Sequence, residues 1–187
     1  MMETTPVNQL ESRVGGITLE GEPHALSAWF VVALRLTMGL AFLGAGVGKL
    51  SVVAGQPFDA GGYLMGASGP AAGLFGAMAT NPALMEVVNV VVPATQILIG
   101  LALVAGAFVR LAALGGAMQM AMFYLASWDV AGPLGFVNSD LVYLMVFLAI
   151  AAFGAGRILG LDRVIETLEV GGEPLLERVP ALRYVLG

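Results

Sequence analysis

Residues 28–47 (AWFVVALRLTMGLAFLGAGV) form an apolar run interrupted by a single charge, Arg35. About 20 consecutive apolar residues match the hydrocarbon thickness of a bilayer as a helix. A charge inside such a run costs roughly 2.5–3.5 kcal/mol on insertion scales, so it faces a bundle interior or a water-filled cavity and marks either a site or a structural node. The structural alternative is an arginine satisfied by backbone carbonyls or snorkelling to the headgroups. The rest of the chain agrees with membrane insertion: 58% of residues are hydrophobic and 11% charged, against about 25% charged in soluble domains.

Four segments are long and apolar enough to cross, about 27–50, 84–107, 110–128 and 139–158. The expected fold is therefore an all-α integral membrane protein, a four-transmembrane-helix bundle. A polar acidic tail (1–26) precedes the membrane domain (27–158), and an interfacial tail (159–187) follows it. Asn81-Pro82 and Asn138-Ser139 have the chemistry of helix starts: a side-chain acceptor for free N–H groups and, in the first, Pro at the first helical position. The short link around Ala107 to Arg110 makes spans two and three antiparallel neighbours. Residues 51–83 read as short helices on or dipping into the outer interface, either a lid over a site or a passive cover. Leu161, Val164, Ile165 and Leu168 fall at i, i+3, i+4 and i+7, which predicts an amphipathic cytoplasmic helix. Leu175, Leu176, Val179 and Leu182 predict a further interfacial piece or partner contact.

Basic residues gather on the cytoplasmic side. Arg13, Arg110, Arg157, Arg163, Arg178 and Arg183 share one side and Lys49 is on the other, so a multi-pass cell-membrane protein with both termini cytoplasmic is expected. The first 26 residues lack a basic region leading into a short apolar one, so the first span is expected to be retained.

At about 1.5 Å per residue from the cytoplasmic ends, Arg35 lies roughly 12 Å deep, Gln96 roughly 16 Å and Gln119 roughly 13 Å. These three form an expected inner polar layer in which Gln carbonyls accept from the guanidinium. Lys49 and Glu86, level near the outer ends of spans one and two, form an expected outer layer joined by an ion pair. On span two, Glu86, Asn89, Pro93, Gln96 and Gly100 share one face, and Pro93 can kink the helix and open a cavity. Gly44 and Gly48, like Gly156 and Gly160, have a spacing that suits close helix contact. Gly44 to Lys49 fails the Walker pattern. Met118, Met120 and Met122 do not share a face, which argues for packing and against copper.

Exclusions follow from what is missing. The chain has no Cys and one His, His24, ahead of the first span. Iron–sulfur ligation, thiolate chemistry and a bis-histidine haem are therefore not expected, nor is a metal. Glu3, Glu11, Glu20 and Glu22 before the spans and Asp162, Glu166, Glu169, Glu173 and Glu177 after them carry most of the net charge of −5, which argues against nucleic acid.

Arg35-Leu36 with Gly39, Leu40 and Phe42 through Gly48-Lys49-Leu50 resembles the first span of the DoxX family, which includes the DoxD-type small subunit of thiosulfate:quinone oxidoreductase. Phe58, Gly62-Tyr63-Leu64, Gly106, Arg110-Leu111-Ala112-Ala113 and the stretch from Asp140-Leu141 to Gly156-Arg157 extend the resemblance over about residues 27–163. The resemblance implies a four-helix bundle associated with quinone-linked sulfur oxidation or oxidative-stress complexes, and a protein partner such as a DoxA-like chain. The expected function is a membrane subunit of a quinone-linked oxidoreductase, with quinone at Arg35, Gln96, Gln119, Lys49 and Glu86. The alternatives are a noncatalytic scaffold or assembly partner, and a small transporter. The bilayer, a partner in a redox complex and a second copy of the chain are the partners in view.

Overall fold

The computed structural model describes residues 10–14, 17–21, 24–128 and 134–186. Glu3 and Glu22 lie outside these residues. The structure is mostly helical, and three helices, α1 (Ser27–Val47), α5 (Pro82–Ala105) and α6 (Val109–Ala126), are long and apolar enough to cross a membrane. A fourth apolar helix, α7 (Ser139–Ala152), has 14 residues and rises about 21 Å, short of the roughly 30 Å hydrocarbon core. The predicted fourth span runs to 158, but its helix stops at Ala152 and the chain continues through turns to Gly160.

The predicted helix starts are present. The Asn81 side chain accepts from the N–H groups of Ala83 and Leu84 with Pro82 at the first position, and Asn138 accepts from Leu141 N at 3.0 Å. Between α1 and α5 lie three short helices, α2 (Ser51–Ala54), α3 (Gly61–Met65) and α4 (Ala72–Ala79), as read from the sequence. The all-α expectation needs one amendment, because two small antiparallel pairs lie outside the bundle: β1 (Leu10–Val14) with β2 (Ile17–Gly21), and β3 (Glu169–Val170) with β4 (Glu173–Pro174). After α7 come α8 (Leu161–Glu166), α9 (Leu175–Arg178) and α10 (Leu182–Val185).

The long helices close a ring, with α1 on α5, α5 on α6, α6 on α7 and α7 on α1. Its core includes Met38, Phe42, Ile99, Leu103, Met120, Phe147 and Ile150. Phe42 meets Phe147 edge to face at 4.7 Å, the arrangement aromatic quadrupoles favour. The α1–α5 seam is closed by glycines that let backbones touch: a Cβ on Gly46 would lie 2.7 Å from Ile97 Cγ1, and one on Gly100 would lie 2.5 Å from Leu43 N. The predicted contact glycine Gly44 instead faces open space, and Gly48 meets only carbonyls of its own helix. The residues that make the seam are Gly39, Gly46 and Gly100. Gly160 does make a close contact, against Gly106.

This seam also sets the register. Gly39 lies against Leu103 and Val104, and Gly46 against Ile97 and Pro93, so Arg35 falls beside Gly106 at the α5–α6 turn. Equal counting from each helix end placed Arg35 level with Gln96, but α1 is slid along α5. At about 1.5 Å per residue, Gln96 lies roughly 15 Å further along α5 than Gly106. The inner layer of Arg35, Gln96 and Gln119 is therefore not assembled.

The predicted stripe is only partly on α8, which ends at Glu166 before Leu168; Leu161, Val164 and Leu168 are exposed. Asp162, next to Leu161 in α8, is fully buried. Further on, α10 packs on α6, and the tail ends with Leu186 buried.

Candidate functional site

Two polar centres stand at opposite ends of the bundle. The first surrounds Arg35, 2% exposed. Beyond Ala152 the chain leaves helical geometry through Gly154 (φ 60°) and Leu159 (φ 51°), which strands carbonyls that α7 would otherwise have paired. The guanidinium collects them. Nη1 donates to Ala155 O and to Ile158 O at 2.9 Å, and Nη2 donates to Leu159 O at 3.1 Å. The partner expected from the sequence was a glutamine amide; the partners found are backbone carbonyls. Their use follows from the rule that backbone groups away from water must be satisfied inside the fold.

Asp162 completes this centre. Its Oδ1 accepts from Phe108 N at 2.6 Å and its Oδ2 from Val109 N at 3.0 Å, so a residue from α8 caps α6. Its charge is felt by the Arg35 guanidinium. Asp162 N in turn donates to Gly106 O at 2.8 Å. Phe108 and Leu159, the two non-glycine residues with left-handed backbone among those described, are both hydrogen-bonded here. Such conformations persist where surrounding contacts over-determine them. The sequence signal for Asp162 is the bare start of α6: Ala107-Phe108-Val109 offers no side-chain cap, so an acceptor must come from elsewhere. Three backbone segments tied by buried hydrogen bonds describe a clasp.

The second centre is a cavity of about 490 Å³ at the other end of the ring. The short helices α3 and α4 roof it, packing Ala60, Leu64 and Phe75 against Ala126 of α6. Phe58, Phe75, Met78, Val92 and Phe123 supply apolar wall, and Lys49, Asp59, Tyr63, Gln119, Ser127 and Asp140 supply the polar groups. Lys49 Nζ donates to Ala45 O at 3.1 Å and stands 5.6 Å from the centre of the Phe58 ring, a cation–π distance. It makes no ion pair with Glu86, which is exposed on α5 and does not line the cavity. The predicted outer pair is thus replaced by Lys49 with Gln119, which the sequence reading had put in the other layer.

The remaining polar groups are held by short links. Asp59 Oδ1 accepts from Gly61 N at 2.8 Å and Asn89 Oδ1 from Ala60 N at 2.9 Å, which fixes α3 to α5. Ser127 Oγ lies 2.6 Å from Asp140 Oδ2 and 2.9 Å from Phe123 O. Tyr63 OH donates to Phe123 O at 3.3 Å. Burial raises the Tyr63 pKa above the ordinary phenol value and the Asp140 charge adds to this, while the Ser127 hydroxyl opposes it, so Tyr63 remains a neutral donor at physiological pH. Gln119 Nε2 donates to Thr95 Oγ1 at 3.4 Å, and Gln119 Oε1 and Gln96 Oε1 are buried acceptors without a donor. Leaving such a group unpaired costs about 1–3 kcal/mol. Gln96, 3% exposed, is outside the cavity. No cluster of His, Cys, Asp and Glu able to hold a metal occurs among the described residues.

The cavity fits a quinone headgroup in chemistry: aromatic and aliphatic walls for the ring and tail, with a few polar groups to orient its oxygens. Tyr63, Ser127 and Asp140 were not singled out as site residues from the sequence, because they meet only when the loop helices fold back over α6 and α7.

The family model for DoxX matches residues 30–128. That stretch contains all but the first three residues of α1, the roof, α5 and α6, and so most of the cavity wall. No curated protein and no solved structure matches the chain.

Proposed function

The chain belongs to the DoxX family, a family of membrane proteins, and on that premise we propose that it is a membrane subunit that binds quinone in the roofed cavity and serves a quinone-linked oxidoreductase of the thiosulfate:quinone oxidoreductase type. The observation that carries this reading is the roughly 490 Å³ apolar cavity with Lys49 and Tyr63 on its wall. A quinone would supply the two-electron chemistry. The chain's own residues would bind and orient it: the Lys49 ammonium would donate to an oxygen, Phe58 and Phe123 would supply aromatic wall, and α3 and α4 would exclude water.

Titrating decylubiquinone into the protein in lipid nanodiscs and following quenching of its tryptophan fluorescence tests the site. Lys49→Leu is expected to weaken binding about tenfold or more, since hydrogen bonds to charged groups contribute about 1.5–3 kcal/mol. Glu86→Ala, exposed and away from the cavity, is expected to leave it unchanged. Lys49→Leu binding with wild-type affinity would overturn the assignment. Thiosulfate-dependent reduction of the added quinone in membranes with copurifying partners tests the donor.

A noncatalytic scaffold is the second reading, favoured by the Arg35–Asp162 clasp, whose hydrogen bonds go to the protein's own backbone. Quinone binding separates the two.

The orientation is part of the proposal. α7 and the turns after it complete a fourth crossing, both termini are cytoplasmic, and the cavity opens toward the outer leaflet, as the concentration of Arg110, Arg157, Arg163, Arg178 and Arg183 at the opposite end requires. Epitope tags at each terminus are expected to be protected from protease in intact cells. Cleavage of either tag there would reverse the topology.

A further inference from the structure

We infer that an apolar groove between α5 and α6 is the tail subsite of the roofed cavity. It takes the prenyl chain of a molecule whose ring is held beside Lys49, so the protein binds long-tailed quinones in preference to short-tailed ones. The inference rests on the quinone-binding reading above and adds the tail.

The groove holds about 300 Å³. Ile99 and Ala102 of α5 and Ala112 and Gly115 of α6 form its floor, and the exposed side chains of Leu98 and Leu111 form its banks. A Cβ on Gly115 would lie 3.5 Å from Ile99 Cδ1, an ordinary contact, so glycine here leaves room that a larger side chain would take. The lining carries no charge, and its one hydroxyl, Thr95 Oγ1, lies 2.7 Å from Val91 O and 3.1 Å from Val92 O in its own helix. A hydroxyl satisfied in this way asks for no polar ligand. The chemistry is that of a hydrocarbon site.

The position of the groove identifies the hydrocarbon. On α5, Val92 lines the cavity, and Thr95, Ile99 and Ala102 line the groove. On α6, Met122 and Gln119 line the cavity, and Gly115, Ala112 and Phe108 line the groove. Steps of three and four residues keep each series on one helical face, so cavity and groove lie in succession along the same two helices. They adjoin at Gln119 and Thr95, whose side chains lie 3.4 Å apart. From Gln119 to Phe108, in the turn pinned by Asp162, α6 runs roughly 16 Å, a reach that one prenyl unit does not span and four do. Hydrocarbon of some kind fills such a groove, because its lining atoms otherwise lose their contacts. A tail tethered to a ring in the adjoining cavity has a higher effective concentration there than a free lipid chain.

The test compares ubiquinone-1 and ubiquinone-4, which share a ring, by tryptophan quenching in nanodiscs. Affinity is expressed against the mole fraction of quinone in the lipid, so that partitioning of the longer tail cancels. Lipid is as apolar as the groove, so the tail gains packing and not hydrophobic transfer, and the wild-type protein is expected to bind ubiquinone-4 about fivefold more tightly. Gly115→Phe, which fills the groove, should remove that advantage and leave ubiquinone-1 affinity unchanged, whereas Gly115→Ala should retain it. Leu111→Ala removes an exposed bank without touching the core and should reduce the advantage even where Gly115→Phe fails to fold. A ubiquinone-4 with a diazirine at its tail end is expected to label residues 98–102 and 108–115, and labelling there by a diazirine phosphatidylcholine should fall as ubiquinone-4 is added. Equal wild-type affinity for the two quinones, with Lys49→Leu still weakening both, would overturn the inference and leave the cavity reading standing. Phospholipid labelling of the groove that ubiquinone-4 does not displace would do the same. Binding of neither quinone would overturn both.

Discussion

Arg35→Ala is expected to destabilise the bundle by about 3–5 kcal/mol, the range for removing one partner from a buried charged network. The loss has two parts. The carbonyls of Ala155, Ile158 and Leu159 lose their donor in a segment that has left helical geometry, at about 1–3 kcal/mol for each group left buried and unpaired. Asp162, fully buried, also loses the favourable charge interaction that it makes with the Arg35 guanidinium. Unfolding in detergent should show an earlier transition, and limited proteolysis should cut first between Phe153 and Gly160. Arg35→Lys is expected to recover only part of the stability, because a single ammonium cannot reproduce two guanidinium nitrogens reaching three carbonyls. An Arg35→Ala protein with wild-type stability would show that the clasp is dispensable.

Asp162→Asn is expected to cost about 2–4 kcal/mol, although it changes no volume. The carboxylate accepts from Phe108 N and Val109 N through both oxygens. An amide has one oxygen, so its NH2 would face a backbone N–H, donor against donor, at an uncapped helix start that also favours negative charge. Phe108, at φ 52°, is held by one of these bonds and should relax. Amide hydrogen exchange at Phe108, Val109 and the first turn of α6 should accelerate while α1 and α7 stay protected, and the double substitution with Arg35→Ala should cost less than the sum of the two. Strict additivity would mean that the two residues act separately.

Both substitutions act on a centre whose members lie far apart in sequence, and this explains which parts were legible. The apolar runs, the caps at Asn81 and Asn138, the short helices of the first loop and the tight α5–α6 turn follow from local rules: length against bilayer thickness, side-chain acceptors for free N–H groups, and Pro at a helix start. Arg35 itself was legible as an anomaly. Its partners were not. Depth counting assumes that all helices begin in one plane, whereas the glycine contacts of Gly39, Gly46 and Gly100 slide α1 along α5 until Arg35 meets the turn. The same slide separates Gln96 from Arg35. Folding of the loop helices over α6 and α7 sets Gln119 with Lys49.

The sequence by itself determined that the chain enters a membrane, where its long helices begin, and that one arginine must be satisfied inside the fold. Hydrophobic length and backbone capping are properties of neighbouring residues, and they are readable without coordinates. Only the tertiary structure decided that carbonyls and not amides receive Arg35, that Asp162 is a buried cap and not part of an acidic tail, and that Lys49 belongs to a cavity and not to Glu86. Those outcomes depend on the register between helices, which is set where glycines allow two backbones to touch, and a slide of roughly 11 Å, about two helical turns, exchanges one set of polar partners for another.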